Sequence, residues 1–185
     1  INGLNQAVNN ANDAVGLIQT AEGAMTETHS MLQRMKTLTT QAANGTYTST
    51  ARGNIKAELD ALNKEITRIA TTTAFNGETP LKPAKKDTPL TFFIGASADS
   101  TNAMTVEQQN MTAEELKVND LKVSNTTEAF NSMASVDAAI EKVSTYRAQL
   151  GAAQNRLEHT VNNLKVTSEN ITSAESRIRD TDMAD

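Results

Sequence analysis

The sequence contains no cysteine and no tryptophan, and aromatic residues make up only 3% of its 185 residues. The absence of cysteine excludes disulfides, thiol catalysis and cysteine-based metal sites. Burial must rest on Ala, Leu, Ile, Val and Met, which favours helices packed along a seam over a thick globular core. The two histidines form no HExxH pair, and the glycine spacing matches no nucleotide-binding fingerprint. We therefore expect neither an enzyme nor a cofactor.

Concentrated positive charge and long apolar runs are also missing. The formal net charge is −5 and no stretch concentrates Lys or Arg, so we expect no nucleic-acid partner. No apolar run approaches the ~18 residues that a membrane helix needs, and no charged-then-apolar leader opens the chain. We expect no membrane partner and no signal peptide. The pattern begins abruptly at Ile1 and stops at Asp185, as if both ends were cuts through a longer protein.

The N-terminal segment carries a long helical pattern. Its apolar residues alternate steps of three and four over roughly five heptads, with one gap near Thr28: Ile1, Leu4, Val8, Ala11, Val15, Ile18, Ala21, Met25, Leu32, Met35 and Leu38. Asn44-Gly45 is predicted to end this helix, because both residues tolerate a left-handed conformation at a helix C-terminus. A second helix is predicted from about Thr50 to Thr72, capped by Ser49 or Thr50.

The middle of the chain changes character. Three prolines between residues 80 and 89 exclude a continuing helix. The stretches LTFFIGA (90–96) and AMTVEQ (103–108) flank a turn-rich loop, and Leu90, Phe92 and Ile94 alternate with Thr91 and Phe93. This pattern predicts a β-hairpin with one face packed on the helices. Residues 109–133 fit no single element.

A third helix is predicted from about Ala134 to the end of the chain. Its apolar residues again step by threes, fours or their sums: Val136, Ile140, Val143, Leu150, Leu157, Val161, Leu164, Ile171 and Ile178. Polar residues at intervening seam positions, including Arg147 and Gln154, would fix the register. The predicted fold is mainly α, an elongated antiparallel helical rod of two N-terminal helices (1–77) and one long C-terminal helix (134–185), with a small β-hairpin region (78–133).

The stretch MLQRMKTLTTQAANGTY (31–47) raises a question about its polar rim. The core stripe through Met31, Met35 and Ala42 leaves Leu38 at its edge and Arg34 further out. A half-exposed leucine beside an arginine is typical of an interface anchor. In the alternative interpretation, Leu38 is core and Arg34 pairs with Glu58 across the two helices.

Four long motifs identify a family resemblance: NNANDAVGLIQTAEGAMTETHSMLQRMKTL, ITRIATTTAFNG, RAQLGAAQNRLEHTVNNL and SENITSAESRIRDTDMAD. Over residues 1–77 and 134–185 the chain resembles bacterial flagellin, the subunit of the flagellar filament. A hook–filament junction protein shares parts of the pattern. A secreted coiled-coil binding module with similar heptads is the alternative from another functional class.

The resemblance implies a structural protein of the extracellular flagellum, exported without a cleaved signal peptide and assembled with other flagellin subunits. The coiled-coil segments that the family places beyond both ends of the rod would be missing, so this fragment is expected to be monomeric. Only residues 78–133 separate the two matching blocks, so no large variable outer domain is expected.

The resemblance also implies a second partner, the ectodomain of the flagellin-sensing Toll-like receptor of vertebrates. The family's receptor-binding positions correspond to Gln33, Arg34, Leu38, Gln41 and Glu58 of this sequence. The chain departs from the family pattern nearby. Lys36-Thr37 stands where Arg-Glu is common, and Leu62 replaces a polar residue of some receptor-active members.

Overall fold

The structure is a computed structural model that describes residues 2–85, 88–95 and 102–184. Three helices and two short strands follow in the order α1 (Asn2–Ala42), α2 (Ser49–Thr72), β1 (Leu90–Phe93), β2 (Ala103–Val106) and α3 (Thr126–Ala184). The predicted fold class, a mainly helical rod with a small hairpin, is confirmed. At 1.5 Å per residue, α1 is about 60 Å long and α3 about 90 Å. No helix within the described ranges is long and apolar enough to cross a membrane.

The longest contact joins α1 and α3, which run antiparallel. Asn5 lies level with Ser168, their side-chain oxygens 3.4 Å apart, and Lys36 forms an ion pair with Asp137. Predicted seam residues such as Ile18 and Val143 are fully buried, and Thr28 is buried in the gap of the pattern. The periodic reading missed several further buried positions: Ala7, Ala14, Leu17, Ala139 and Tyr146. The antiparallel pairing of the terminal helices is confirmed.

The second helix packs against the other side of α1. Its N-cap is Thr48, whose hydroxyl accepts a hydrogen bond from the Ala51 N–H at 3.1 Å. The prediction of Ser49 or Thr50 as the cap was therefore wrong by one or two residues, because three consecutive hydroxyl or small polar residues offer similar caps. At its far end, the ring of Phe75 lies over Gly16 of α1.

The connection between α1 and α2 differs from the predicted left-handed cap. The helix ends at Ala42 as expected, but neither Asn44 nor Gly45 has a positive φ. The Asn44 side-chain oxygen instead accepts from the Thr46 N–H and hydroxyl at 3.0 and 2.9 Å. This side-chain turn stops the helix without a left-handed residue.

The predicted hairpin is confirmed as an antiparallel pair in which Leu90 faces Val106 and Phe93 faces Ala103. Met104 and Val106 are buried, and Leu90, Phe92 and Ile94 pack against the core. The hairpin loop, residues 96–101, lies outside the described residues.

Residues 109–125 form an irregular segment of turns rather than a helix or strand. Six of its side chains are buried in the core: Met111, Ala113, Leu116, Val118, Leu121 and Val123. The backbone N–H of Met111 donates to the Leu81 carbonyl at 2.8 Å, so the segment is tied to the proline-rich stretch.

The third helix begins at Thr126, eight residues before the predicted Ala134. The Asn125 side-chain oxygen accepts from the Glu128 N–H at 2.9 Å, and the Glu128 carboxylate accepts from the Ser124 N–H at 3.0 Å. This reciprocal cap starts the helix where the apolar pattern gives no signal. Phe130, in the first turns of α3, is 57% exposed although it is apolar. The apolar residues of these turns therefore do not mark the buried face of the helix.

The predicted seam at the C-terminal end of α3 was wrong. Ile171 is 40% exposed, Ile178 is 64% exposed and Leu164 is only partly buried. The cause is geometric, because Asn5 lies level with Ser168 and the described part of α1 begins at Asn2, so α1 extends only about one turn further along α3 than Ser168. Beyond that level no described element covers α3.

We predict opposite effects of adding a methyl group at two glycines of α1. A Cβ at Gly16 would lie 2.6 Å from the Phe75 ring, so Gly16→Ala should destabilise the fold by ~1–3 kcal/mol. Gly23 has nothing within 4 Å of that position, so Gly23→Ala should stabilise by up to ~1 kcal/mol through helix propensity. Denaturant unfolding measures both. Phe75→Leu replaces the ring by a smaller side chain and should therefore reduce the loss of stability in Gly16→Ala. An unchanged loss would contradict the steric overlap between the new Cβ and the Phe75 ring.

We also predict a loss of stability in alkali that depends on Tyr146. Burial raises the pKa of the Tyr146 hydroxyl well above its ordinary value, and this hydroxyl donates to the Glu107 carbonyl at 2.9 Å. Above about pH 10 the unfolded chain releases this proton while the folded chain keeps it, so the free energy of unfolding should fall as the pH rises. Unfolding at a series of pH values should show this fall in the parent and in Tyr47→Phe. If the free energy of unfolding fell equally in Tyr146→Phe, the loss of stability in alkali would have to come from groups other than Tyr146.

Candidate functional site: the α1–α2 surface

The five predicted site residues lie on two helices, four on α1 and Glu58 on α2. Because these helices run antiparallel, Arg34 and Glu58 meet: the Arg34 Nε donates to Glu58 Oε1 at 2.8 Å and the Nη2 to Oε2 at 3.2 Å. The side chains remain 49% and 43% exposed. The two-pronged hydrogen bond to Glu58, followed by its charge, raises the pKa of Arg34. This bidentate geometry holds both charged groups at the surface.

The two glutamines flank this ion pair. Gln33 and Gln41 are both exposed, and the Gln33 amide nitrogen lies 3.4 Å from Nε2 of His29. Gln41 stands seven residues, or about two helical turns, from Arg34. We call Gln33, Arg34, Gln41 and Glu58 the α1–α2 surface.

Leu38 does not lie on that surface. Its exposure is 2%, so the expectation of a half-exposed leucine was wrong. The alternative interpretation, with Leu38 in the core and Arg34 paired with Glu58, describes the contacts within the chain. Leu38 packs beneath the α1–α2 surface and holds α1 in place.

The three residues that depart from the family pattern make no hydrogen bond or ion pair with Arg34 or Glu58. Lys36 reaches across to Asp137 of α3, on the other side of α1 from Arg34. Leu62 is partly buried against the core. Thr37 is exposed, and its hydroxyl donates to the Gln33 carbonyl at 3.2 Å.

Further exposed residues border the ion pair and were not singled out in the sequence. Ser30 lies one turn from Arg34, and Asn54 and Ala61 lie one turn from Glu58. They are small or uncharged and so give no compositional signal. The i±3 and i±4 spacing around Arg34 and Glu58 would have found them.

The α1–α2 surface is made of polar side chains of the described residues and one ion pair. Among the described residues, no group of three His, Asp or Glu side chains could hold a metal ion. What the arrangement can do is present a rigid, charged and uncharged-polar surface to another macromolecule.

Comparison with known proteins agrees with this architecture. Residues 1–85 match the bacterial flagellin N-terminal helical region, and residues 133–185 match the C-terminal helical region. A flagellin of Bacillus subtilis is 43% identical over 214 aligned residues, which span 100% of this chain and 70% of that protein. The chain belongs to the flagellin family. It is a structural subunit of the flagellar filament, the extracellular assembly of flagellin subunits that serves motility.

Solved structures of flagellar proteins have the same fold as this flagellin chain. The crystal structure of Bacillus cereus flagellin superposes with a TM-score of 0.72 at 30% identity, covering 90% of this chain and 94% of that one. A putative flagellar hook-associated protein of Vibrio parahaemolyticus gives 0.77 at 13% identity, covering 95% and 91%. The second likeness shows the fold alone. The rod fold is therefore common to flagellin and to the hook-associated protein. The sequence identity to this chain is higher for the flagellin, at 30% against 13%.

We predict that Leu38 and Arg34 differ sharply in their effect on folding. Leu38→Ala removes a fully buried side chain and should cost ~2–5 kcal/mol in the free energy of unfolding. Arg34→Gln removes one partner of a solvent-exposed ion pair and should leave the unfolding midpoint nearly unchanged. Denaturant unfolding checks both variants. A Leu38→Ala variant as stable as the parent would contradict its place in the core.

Proposed function

We propose that the α1–α2 surface of this filament subunit is the binding site for the flagellin-sensing Toll-like receptor. The observation that carries the proposal is the bidentate Arg34–Glu58 pair, half exposed and flanked by exposed glutamines. These residues occupy the family's receptor-binding positions, which is why the surface is assigned to this partner.

The ion pair is suited to recognition because it is organised before binding. Glu58 engages two of the five N–H donors of the guanidinium, which leaves three that a receptor carbonyl or carboxylate can reach. Each carboxylate oxygen also keeps a second lone pair for a receptor donor. Since the two side chains already hold one another, less rotamer entropy is lost on docking.

The remaining residues have distinct roles in this proposal. Gln33 and Gln41 supply amide donors and acceptors at the rim of the ion pair. Leu38 acts as a positioning residue from below and makes no direct contact. In this proposal the same surface also faces neighbouring subunits in the filament, so the receptor would bind released subunits rather than the intact polymer.

A binding titration of this chain against the receptor ectodomain tests the proposal. Truncation of central interface residues typically weakens binding by about thirtyfold or more, so we expect at least that loss for the Arg34→Ala, Glu58→Ala double variant. The matched control is Lys36→Ala, Asp137→Ala, which removes an ion pair of similar exposure between two helices on the other side of α1. This control should bind as the parent does.

A charge exchange separates recognition from stability. In Arg34→Glu, Glu58→Arg the two helices keep an ion pair of the same composition, but each charge occupies the other position. If the receptor reads the individual charges, this variant should fold normally and lose binding. Parent-like affinity of both the exchanged and the alanine variants would overturn the assignment, and so would a parent chain that does not bind.

A further inference from the structure

Three Asn-Gly pairs occur in the sequence, one opening α1 and two in turns, at Asn44-Gly45 and Asn76-Gly77. An asparagine followed by glycine is open to intramolecular attack by the glycine nitrogen, because the missing Cβ leaves that nitrogen unhindered. Both turn asparagines are exposed. Their surroundings differ in ways that affect this reaction.

At Asn44 the side-chain carbonyl is polarised by two donors. The Thr46 N–H and the Thr46 hydroxyl both donate to Oδ1, at 3.0 and 2.9 Å. This side-chain turn folds the carboxamide back over the peptide that contains the Gly45 nitrogen. Two donors on one carbonyl oxygen would also stabilise the negative charge that develops there when a nucleophile attacks its carbon.

At Asn76 the backbone works against the same reaction. Asn76 and Gly77 have φ values of 51° and 81°, and Phe75 and Glu78 exchange backbone hydrogen bonds of 2.9 and 3.0 Å across the turn. The left-handed region pairs such a φ with a ψ of about +47°. That ψ turns the Gly77 nitrogen to the far side of the Cα–C bond from the Asn76 side chain, so attack requires the turn to open.

We propose that Asn44 deamidates spontaneously in the folded chain, and does so faster than Asn76. The Gly45 nitrogen loses its proton to solvent and bonds to the Asn44 side-chain carbonyl carbon, and the intermediate collapses by expelling ammonia to leave a succinimide. Water then opens the ring. Cleavage of the new bond gives aspartate, and cleavage of the original peptide bond gives isoaspartate. The net change is one water consumed and one ammonia released.

The modification would alter the end of α1. Either product places a negative charge beside the C-terminus of α1, which the helix dipole disfavours. Isoaspartate also adds a methylene to the main chain beside the Asn44 carbonyl, which accepts from Arg52 Nη2 at 3.2 Å and from the Tyr47 N–H at 3.2 Å. The reaction would therefore loosen the connection between α1 and α2.

The test is a time course of the folded chain in warm, mildly alkaline buffer, followed by tryptic digestion and mass spectrometry. Asn44 and Asn76 fall on different tryptic peptides, so Asn76 serves as an internal control for Asn44 in the same sample. Conversion at Asn44 should run well ahead of conversion at Asn76 in the folded chain, and the two rates should converge in denaturant. Equal rates in the folded chain, or faster loss at Asn76, would overturn the proposal.

Variants at Thr46 test the role of the two donors. Thr46→Ala removes the hydroxyl donor and should slow conversion at Asn44 by about fivefold, the change in rate that one ordinary hydrogen bond is worth. Thr46→Ser keeps a hydroxyl and should retain the parent rate. Residue 46 is exposed, so neither change threatens the fold. A Thr46→Ala chain that deamidates as fast as the parent would overturn the proposed activation.

Discussion

The antiparallel contact between α1 and α3 is the constraint on which the other elements depend. Helices of 41 and 59 residues with few large apolar side chains need a partner along most of their length. Small residues fill many of the buried positions of α1, namely Ala7, Ala11, Ala14, Ala21 and Ala42. The second helix, the hairpin and the irregular segment 109–125 add their apolar side chains to the core that this pair creates.

The existence of each element could be predicted from the sequence, because periodicity records which face of a helix or strand is buried. The ends of the elements could not. The start of α3 is set by the cap between Asn125 and Glu128, which lies outside any apolar pattern. Its exposed C-terminal stripe shows the converse, since Ile171 and Ile178 keep the helical spacing without any described element to bury them. Spacing identifies a face that is able to pack, and only the tertiary structure supplies the partner.

The same distinction applies to the α1–α2 surface. The sequence placed Arg34 and Gln41 on one strip of α1 and left open whether Arg34 faces a partner or Glu58. The antiparallel packing of α2 decides the contact within the chain, and the half exposure of both charges leaves them accessible from outside. The exposure of Leu38 was misjudged because periodicity considers one helix at a time. Leu38 stands at the edge of the α1 stripe, and the remaining side is closed by neighbouring elements.

Tyr146 has a consequence for the mechanics of the rod. It is buried in the core, where its hydroxyl donates to the carbonyl of Glu107 just after β2, whereas the positions one heptad before and after it on α3 hold Ala139 and Ala153. Sliding α3 by one heptad past the rest of the core would bring a tyrosine to a position that an alanine occupies and would break its hydrogen bond to the Glu107 carbonyl. The large side chain thus resists sliding of α3 relative to the rest of the core. An axial load on α3 is then passed through this residue to the segment after β2 as well as to α1.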